Sequence, residues 1–235
     1  MSLLQLEDVD AFYGKSHVLF DVSLSIAEGD LVTVIGRNGA GKTTLLKSII
    51  GHVQRTGSVE FNGQDITESE PHQISQQGIA YIPEHRRIFS DLTVYENLRM
   101  GYIGHDVDRS LESMLEEVFS YFPRLEERQE QKGGTLSGGE QQMLSIARGL
   151  LSDPDLLLVD EPMEGLMPTL VEDLVEILPQ INKDGTTMLV VEQNARLALK
   201  ISSYGYVIDE GVIKIEGPSE ELADNEEIQR RYLAV

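Results

Sequence analysis

The 235-residue sequence contains no cysteine. That absence excludes a disulfide framework, a thiol nucleophile and a zinc–thiolate site, and it suits a reducing compartment. Long apolar runs are missing as well. The cleanest, Leu156-Leu157-Leu158-Val159, is strand-sized, far short of the roughly 18 to 20 residues a membrane-spanning helix requires. The N-terminus, Met1-Ser2-Leu3-Leu4-Gln5-Leu6-Glu7-Asp8, lacks the basic start and sustained apolar stretch of a secretory signal, so a cytoplasmic location is expected. Basic residues are scarce: 19 Lys and Arg against 40 Asp and Glu give a net charge of −21. Such a surface repels phosphate backbones, which argues against a nucleic-acid partner and for a solvated, soluble exterior. Histidine occurs five times and never after His105.

What is present is enough chain to bury a substantial core, and a single unit with a subdomain is expected. Strand-like segments come first: Leu3 to Tyr13, Val18 to Ile26 and Leu31 to Ile35, separated by Tyr13-Gly14 and Glu28-Gly29. The apolar spacing of Leu45, Leu46, Ile49 and Ile50 predicts a helix from Lys42 to Ile50, with Gly51 placed for a left-handed cap. Val59 to Gly63 reads as a strand entering an Asn-Gly turn. Between Tyr95 and Leu151 the pattern turns helical with charged outer faces, as in Leu111 to Phe122 and Met143 to Leu150. From Leu156 the alternation resumes: strand Leu156 to Asp160, helix Thr169 to Ile181, strand Thr187 to Val191. Alternating strands and helices imply a layered α/β core with a parallel sheet covered on both faces. The acidic piece from Pro218 to Val235 reads as a short helical tail.

Three local patterns carry chemistry. Gly36-Arg37-Asn38-Gly39-Ala40-Gly41-Lys42-Thr43 fits G-x-x-x-x-G-K-[ST] without a mismatch, directly after a predicted strand and before a predicted helix. Its glycines let backbone amides turn inward around phosphates, Lys42 is placed for the β- and γ-phosphates, and Thr43 for Mg²⁺, with Thr44 next along. Leu156 to Val159 ends in Asp160-Glu161, as a buried strand delivering carboxylates at its C-terminal edge does. Asp160 is then the candidate for the Mg²⁺ shell and Glu161 the candidate base for an attacking water. Leu136-Ser137-Gly138-Gly139-Glu140 opens a helix with the S-x-x-E spacing of a capping box. Capping and function coincide there, because glycines at a helix N-terminus make a phosphate site.

Together these patterns closely resemble the ABC ATPase signature, and the resemblance then covers nearly the whole chain. It implies an α/β nucleotide-binding core, mainly a parallel sheet flanked by helices with an antiparallel β region, plus a helical subdomain. The core is expected at about 1–84 and 152–235, the subdomain with the Leu136–Glu140 signature at about 85–151. In the family the signature of one protomer closes over the phosphate loop of the other, so a dimer with a sister subunit or with itself is implied. Tyr13 matches the aromatic residue that stacks on adenine, where it could otherwise serve as a core or strand-edge tyrosine. Glu84, in Ile82-Pro83-Glu84, stands where most members carry a glutamine that touches Mg²⁺ and senses the membrane subunit. Met167 occupies the place of an aspartate facing the partner protomer, and Gln193 that of the switch histidine. Arg86-Arg87 is either solvated surface or a contact for a membrane subunit.

Glu84 and Glu192-Gln193-Asn194 look like one of the two ATPase subunits of branched-chain amino acid importers, whereas Met163 to Pro168 leans toward urea and amide importers. The resemblance implies ATP and Mg²⁺ as cofactors, two membrane permease subunits and, indirectly, a solute-binding protein. The chain is then expected on the inner face of the cell membrane. A soluble ABC protein acting on ribosomes or DNA is the competing class. It is disfavoured by the single phosphate loop, the short Glu84–Leu136 interval without heptads, and the lack of a basic patch.

Overall fold

The first strands already show period-2 burial. In β1 (Ser2–Tyr13) Leu4, Leu6, Val9 and Ala11 point inward, and in β2 (Ser16–Ala27) so do Val22, Leu24 and Ile26. The computed structural model describes residues 2–103, 109–225 and 228. His105 and the end of the acidic C-terminal piece lie outside them. With β4 (Gln54–Phe61) and β5 (Gln64–Asp65) these strands form an antiparallel sheet in the order β2-β1-β4-β5. The link from β4 to β5 is the expected Asn-Gly turn, with Asn62 at φ 50° and Gly63 at φ 72°.

The second sheet contains β3 (Leu31–Ile35), β6 (Ile79–Ile82), β7 (Leu156–Asp160), β8 (Thr187–Glu192), β9 (Tyr204–Asp209) and β10 (Val212–Pro218) in the order β10-β9-β3-β8-β7-β6. All neighbours are parallel except the β9–β10 edge pair. Every residue of β3, β7 and β8 is buried, as expected of central strands covered on both faces. On one face lie α1 (Lys42–Ile49) and the antiparallel sheet, sharing a core in which Leu45 and Ile49 meet Leu4, Phe61, Leu158 and Val191. On the other lie α7 (Pro168–Lys183) and the helices α3 (Val94–Tyr102), α4 (Leu111–Tyr121), α5 (Pro123–Glu126) and α6 (Gly138–Leu150). A short α2 (Pro71–Gln76) leads into β6, while α8 (Ala195–Ile201) packs with α9 (Ser219–Asp224) against Ile35 and Val207.

Several predicted elements recur within a residue or two, and Leu31–Ile35 and Leu156–Asp160 match at both ends. Helix α6 begins five residues before the apolar spacing announces it, because Ser137 and Glu140 cap the turn through Gly138 and Gly139. Residues 195–218, which the periodicity leaves unassigned, form α8, β9 and β10. They close one edge of the sheet, with β9 paired to β3 and β10 to β9. The connection from β9 to β10 braces the site, since the Gly211 amide donates to the Ala40 carbonyl at 2.9 Å.

Candidate functional site

The loop Gly36–Gly41 joins β3 to α1. Gly36 passes so close to β9 that a Cβ there would lie 2.6 Å from the Ile208 carbonyl oxygen. Gly41 caps α1 at φ 112°, a conformation L side chains rarely adopt. The loop thus leads directly into the N-terminus of α1, a position that receives anions. Lys42 is only 3% exposed. Its Nζ donates to the carbonyls of Gly36 at 2.8 Å and Arg37 at 3.1 Å, and lies 3.0 Å from Glu161 Oε1.

Strand β7 ends one strand away from β3, with β8 between them, and delivers its carboxylates beside the loop. Asp160 is fully buried: Oδ1 accepts from Thr43 Oγ1 at 3.0 Å and Oδ2 from Tyr81 OH at 2.9 Å. Burial pushes its carboxyl above the ordinary range, against the pull of those two bonds. The same burial, followed by the charge and hydrogen bond of Asp160, pushes the Tyr81 phenol up. Glu161 has a left-handed backbone, φ 46°, which costs about 1–3 kcal/mol in a non-glycine residue. Its amide donates to the Val191 carbonyl at 2.9 Å, fixing that turn. Glu161 Oε2 is buried with no hydrogen-bond partner.

More carboxylates surround it. The close approach of the Glu161 carboxylate, then burial, lifts Glu164 to about 7. Glu192 is 2% exposed and likewise raised to about 7, with burial the largest cause. Glu84 is exposed in the loop after β6, close enough for its charge to act on Asp160 and Glu164. Gln193 is exposed at the end of β8, its amide donating to Glu192 Oε2 at 3.2 Å. Tyr13 is 46% exposed at the end of β1, next in sequence to Phe12, which stacks on His17 at 4.3 Å, while His17 meets Phe20 at a tilt at 4.0 Å. That exposure excludes a core tyrosine and matches a strand-edge one. Met167 is 62% exposed at the head of α7.

The Leu136–Glu140 segment stands apart. Ser137 Oγ accepts from the Glu140 amide while Glu140 Oε2 accepts from the Ser137 amide at 2.9 Å, completing the predicted capping box. Burial opposes the Glu140 charge, but the Ser137 bonds and Arg128 outweigh it and hold the carboxyl below its usual range. Among the described residues no hydrogen bond or ion pair joins residues 136–140 to residues 36–44. The glycines of the capped helix start lie instead against Arg86 and Leu170.

Four contacts escaped the sequence. Tyr81 orients Asp160, Glu164 lies close enough to Glu161 for the two charges to act on each other, Glu192 holds two loop amides, and the Arg86 guanidinium lies over Gly138, where a Cβ would meet Nη1 at 2.8 Å. Only Glu192 left a local sign, an acidic residue closing an otherwise apolar strand.

The family model for ABC transporters matches residues 19–164, so the chain belongs to that family and is an ATP-binding, ATP-hydrolysing transporter subunit. It is 43% identical to the high-affinity branched-chain amino acid transport ATP-binding protein BraG of Pseudomonas aeruginosa, over 98% of this chain and 99% of that one. It is 36% identical to the probable branched-chain amino acid transport ATP-binding protein LivF of Archaeoglobus fulgidus, over 99% of each. A crystal structure of a nucleotide-free ATP-binding cassette from an ABC transporter superposes with a TM-score of 0.85 at 29% identity, over 100% of this chain and 98% of that one.

Proposed function

We propose that this chain powers an importer of branched-chain amino acids, hydrolysing ATP as one half of a dimer beneath two membrane permease subunits. The observation that carries the site assignment is the meeting of Lys42, Thr43, Asp160 and Glu161 at the ends of β3 and β7. The amino-acid assignment rests on the likeness to BraG and LivF over nearly the whole chain.

In this reading the remaining amides of the loop and the start of α1 cradle the phosphates, those of Gly36 and Ala40 being held by the Glu192 and Arg37 carbonyls, and Lys42 exchanges its contacts with Gly36, Arg37 and Glu161 for phosphate oxygens. Glu161, released from Lys42, accepts the proton of the attacking water through the carboxylate whose Oε2 has no partner. Gln193 offers a donor and an acceptor to the γ-phosphate region without titrating, and Tyr13 stacks on the base. Thr43 Oγ1 and Asp160 Oδ1 are hard oxygen donors suited to Mg²⁺, with Glu84 at the rim. Among the described residues no three His, Cys, Asp or Glu gather into a cage, which suits a cation completed by phosphate oxygens and water. Bound there, Mg²⁺ neutralises charge developing on the phosphates.

Ser137, Gly138 and Gly139 serve the partner protomer's nucleotide, since they open a capped helix and make no hydrogen bond or ion pair to their own loop among the described residues. Residues 85–151 act as the unit carrying that contact. The exposed Phe89, Met100 and Ile103 supply the apolar surface for a membrane subunit, placing the chain on the inner face of the membrane. Among the described residues no helix is long and apolar enough to cross a membrane.

The test is twofold. Titration with ATP should show binding to the parent and none to a folded Lys42→Ala protein; undiminished affinity would place the site elsewhere. Vesicles carrying the chain assembled with two permease subunits, a sister ATPase and a solute-binding protein should accumulate leucine, isoleucine or valine only with ATP. Uptake of urea or a small amide instead would overturn the solute assignment.

A further inference from the structure

We propose that Glu192 is a positioning residue that holds three loops of the ATPase site in register, an inference resting on the nucleotide-site reading above. It closes β8 after five buried residues and is itself buried. A carboxylate in such a place is costly unless its oxygens are satisfied. Here they are satisfied by main-chain amides. Oε1 accepts from Met163 at 3.0 Å, in the loop just after Glu161, and Oε2 accepts from Gln193 at 3.2 Å. The residue's own carbonyl accepts from the Gly36 amide at 3.4 Å, where the phosphate loop begins. One residue therefore ties the phosphate loop, the loop after Glu161 and the loop bearing Gln193.

No ion pair to Glu192 occurs among the described residues. An aliphatic side chain would fill the same volume without desolvating a charge. What the carboxylate adds is a pair of fixed acceptors that only correctly placed amides can meet. Its neighbour on β3 is Ile35. From the β7 side it faces Met163 and Glu161, and from its own loop Gln193 and Asn194; Glu161 is the charged group that acts on it. Burial, offset by the Met163 bond and reinforced by Glu161, raises its carboxyl to about 7. Protonation turns an acceptor oxygen into a donor, and because the proton can sit on either oxygen it weakens both loop bonds.

Glu192→Gln copies that neutral state. The full-length protein should bind a fluorescent ATP analogue within about threefold of the parent, while turnover falls about 10- to 100-fold as the reacting groups lose alignment. Glu164 titrates in the same range, so the pH profile is taken in a Glu164→Gln background. There, turnover should rise through pH 7 with Glu192 present and lose that step with Glu192→Gln. Hydrogen exchange keeps the idea testable should the variant fail to fold. In the parent, the amides of Met163 and Gln193 should lose protection together, beyond the intrinsic rate change, as pH drops from 8 to 6. Parent-like turnover in Glu192→Gln, an unchanged pH step, or independent exchange of the two amides overturns the proposal. Lys42→Ala separates the two levels: retained nucleotide binding there sinks the site reading itself, whereas lost binding with a parent-like Glu192→Gln sinks only this inference.

Discussion

Replacing Lys42 by methionine tests whether the ammonium is part of the fold as well as of the site. The side chain is 3% exposed and lies 3.0 Å from Glu161 Oε1, itself on a residue 8% exposed. Methionine fills much of the same volume and removes the charge. Glu161 is then left with one oxygen already lacking a partner, facing the carboxylates of Asp160, Glu164 and Glu192. Removing one member of a buried pair costs about 3–5 kcal/mol, because the survivor remains uncompensated. In a protein of this size each kcal/mol moves the melting temperature by about 2–4 °C, so Lys42→Met should melt about 6–20 °C lower without nucleotide. The double variant Lys42→Met/Glu161→Gln should recover most of that loss, since the orphaned charge is gone. Thermal unfolding followed by circular dichroism on the parent, both single variants and the double closes the cycle. A Lys42→Met protein melting within about 2 °C of the parent, or a double variant no better than Lys42→Met, would refute the reasoning.

Further expectations concern single groups. Glu161→Gln should keep ATP affinity and slow turnover about 10²- to 10⁴-fold, the worth of a positioned base, with ATP-bound dimers accumulating in size-exclusion chromatography; parent-rate hydrolysis would put the base elsewhere. Tyr81→Phe strips the donor from Asp160 Oδ2, so denaturant unfolding should show a loss of about 1–3 kcal/mol and nucleotide binding should need more Mg²⁺; an unmoved unfolding midpoint would contradict the contact. Glu192, raised from an ordinary 4.5 to about 7, binds more protons folded than unfolded between those values. Stability should therefore fall as pH climbs from about 4.5 to about 7, by about 3 kcal/mol from this group, and Glu192→Gln should flatten that slope in chemical unfolding. Tyr13→Ala should weaken ATP binding by about 1–3 kcal/mol if the exposed ring stacks on adenine, and equal affinity by calorimetry would make the tyrosine a bystander.

The motifs legible in the sequence are those whose chemistry needs consecutive residues. A phosphate loop works through successive amides, so Gly36 to Thr43 announces itself; a capping box spans one helical turn, so Ser137 and Glu140 do as well. The strand Leu156–Asp160 is legible because both its faces are covered and every residue is apolar until the carboxylates. Tertiary structure alone decided what these pieces meet. The sheet order β3-β8-β7-β6 sets the ends of four strands side by side, which brings Thr43 to Asp160 across 117 positions and Tyr81 to the same carboxylate across 79. Hydrophobic periodicity says which face of a strand is buried, and nothing about which strand lies next to it. For the same reason Glu192 reads in sequence as the polar end of a strand. Only the packing that buries it, with the amides of Met163 and Gln193 aimed at its two oxygens, makes it the joint between loops.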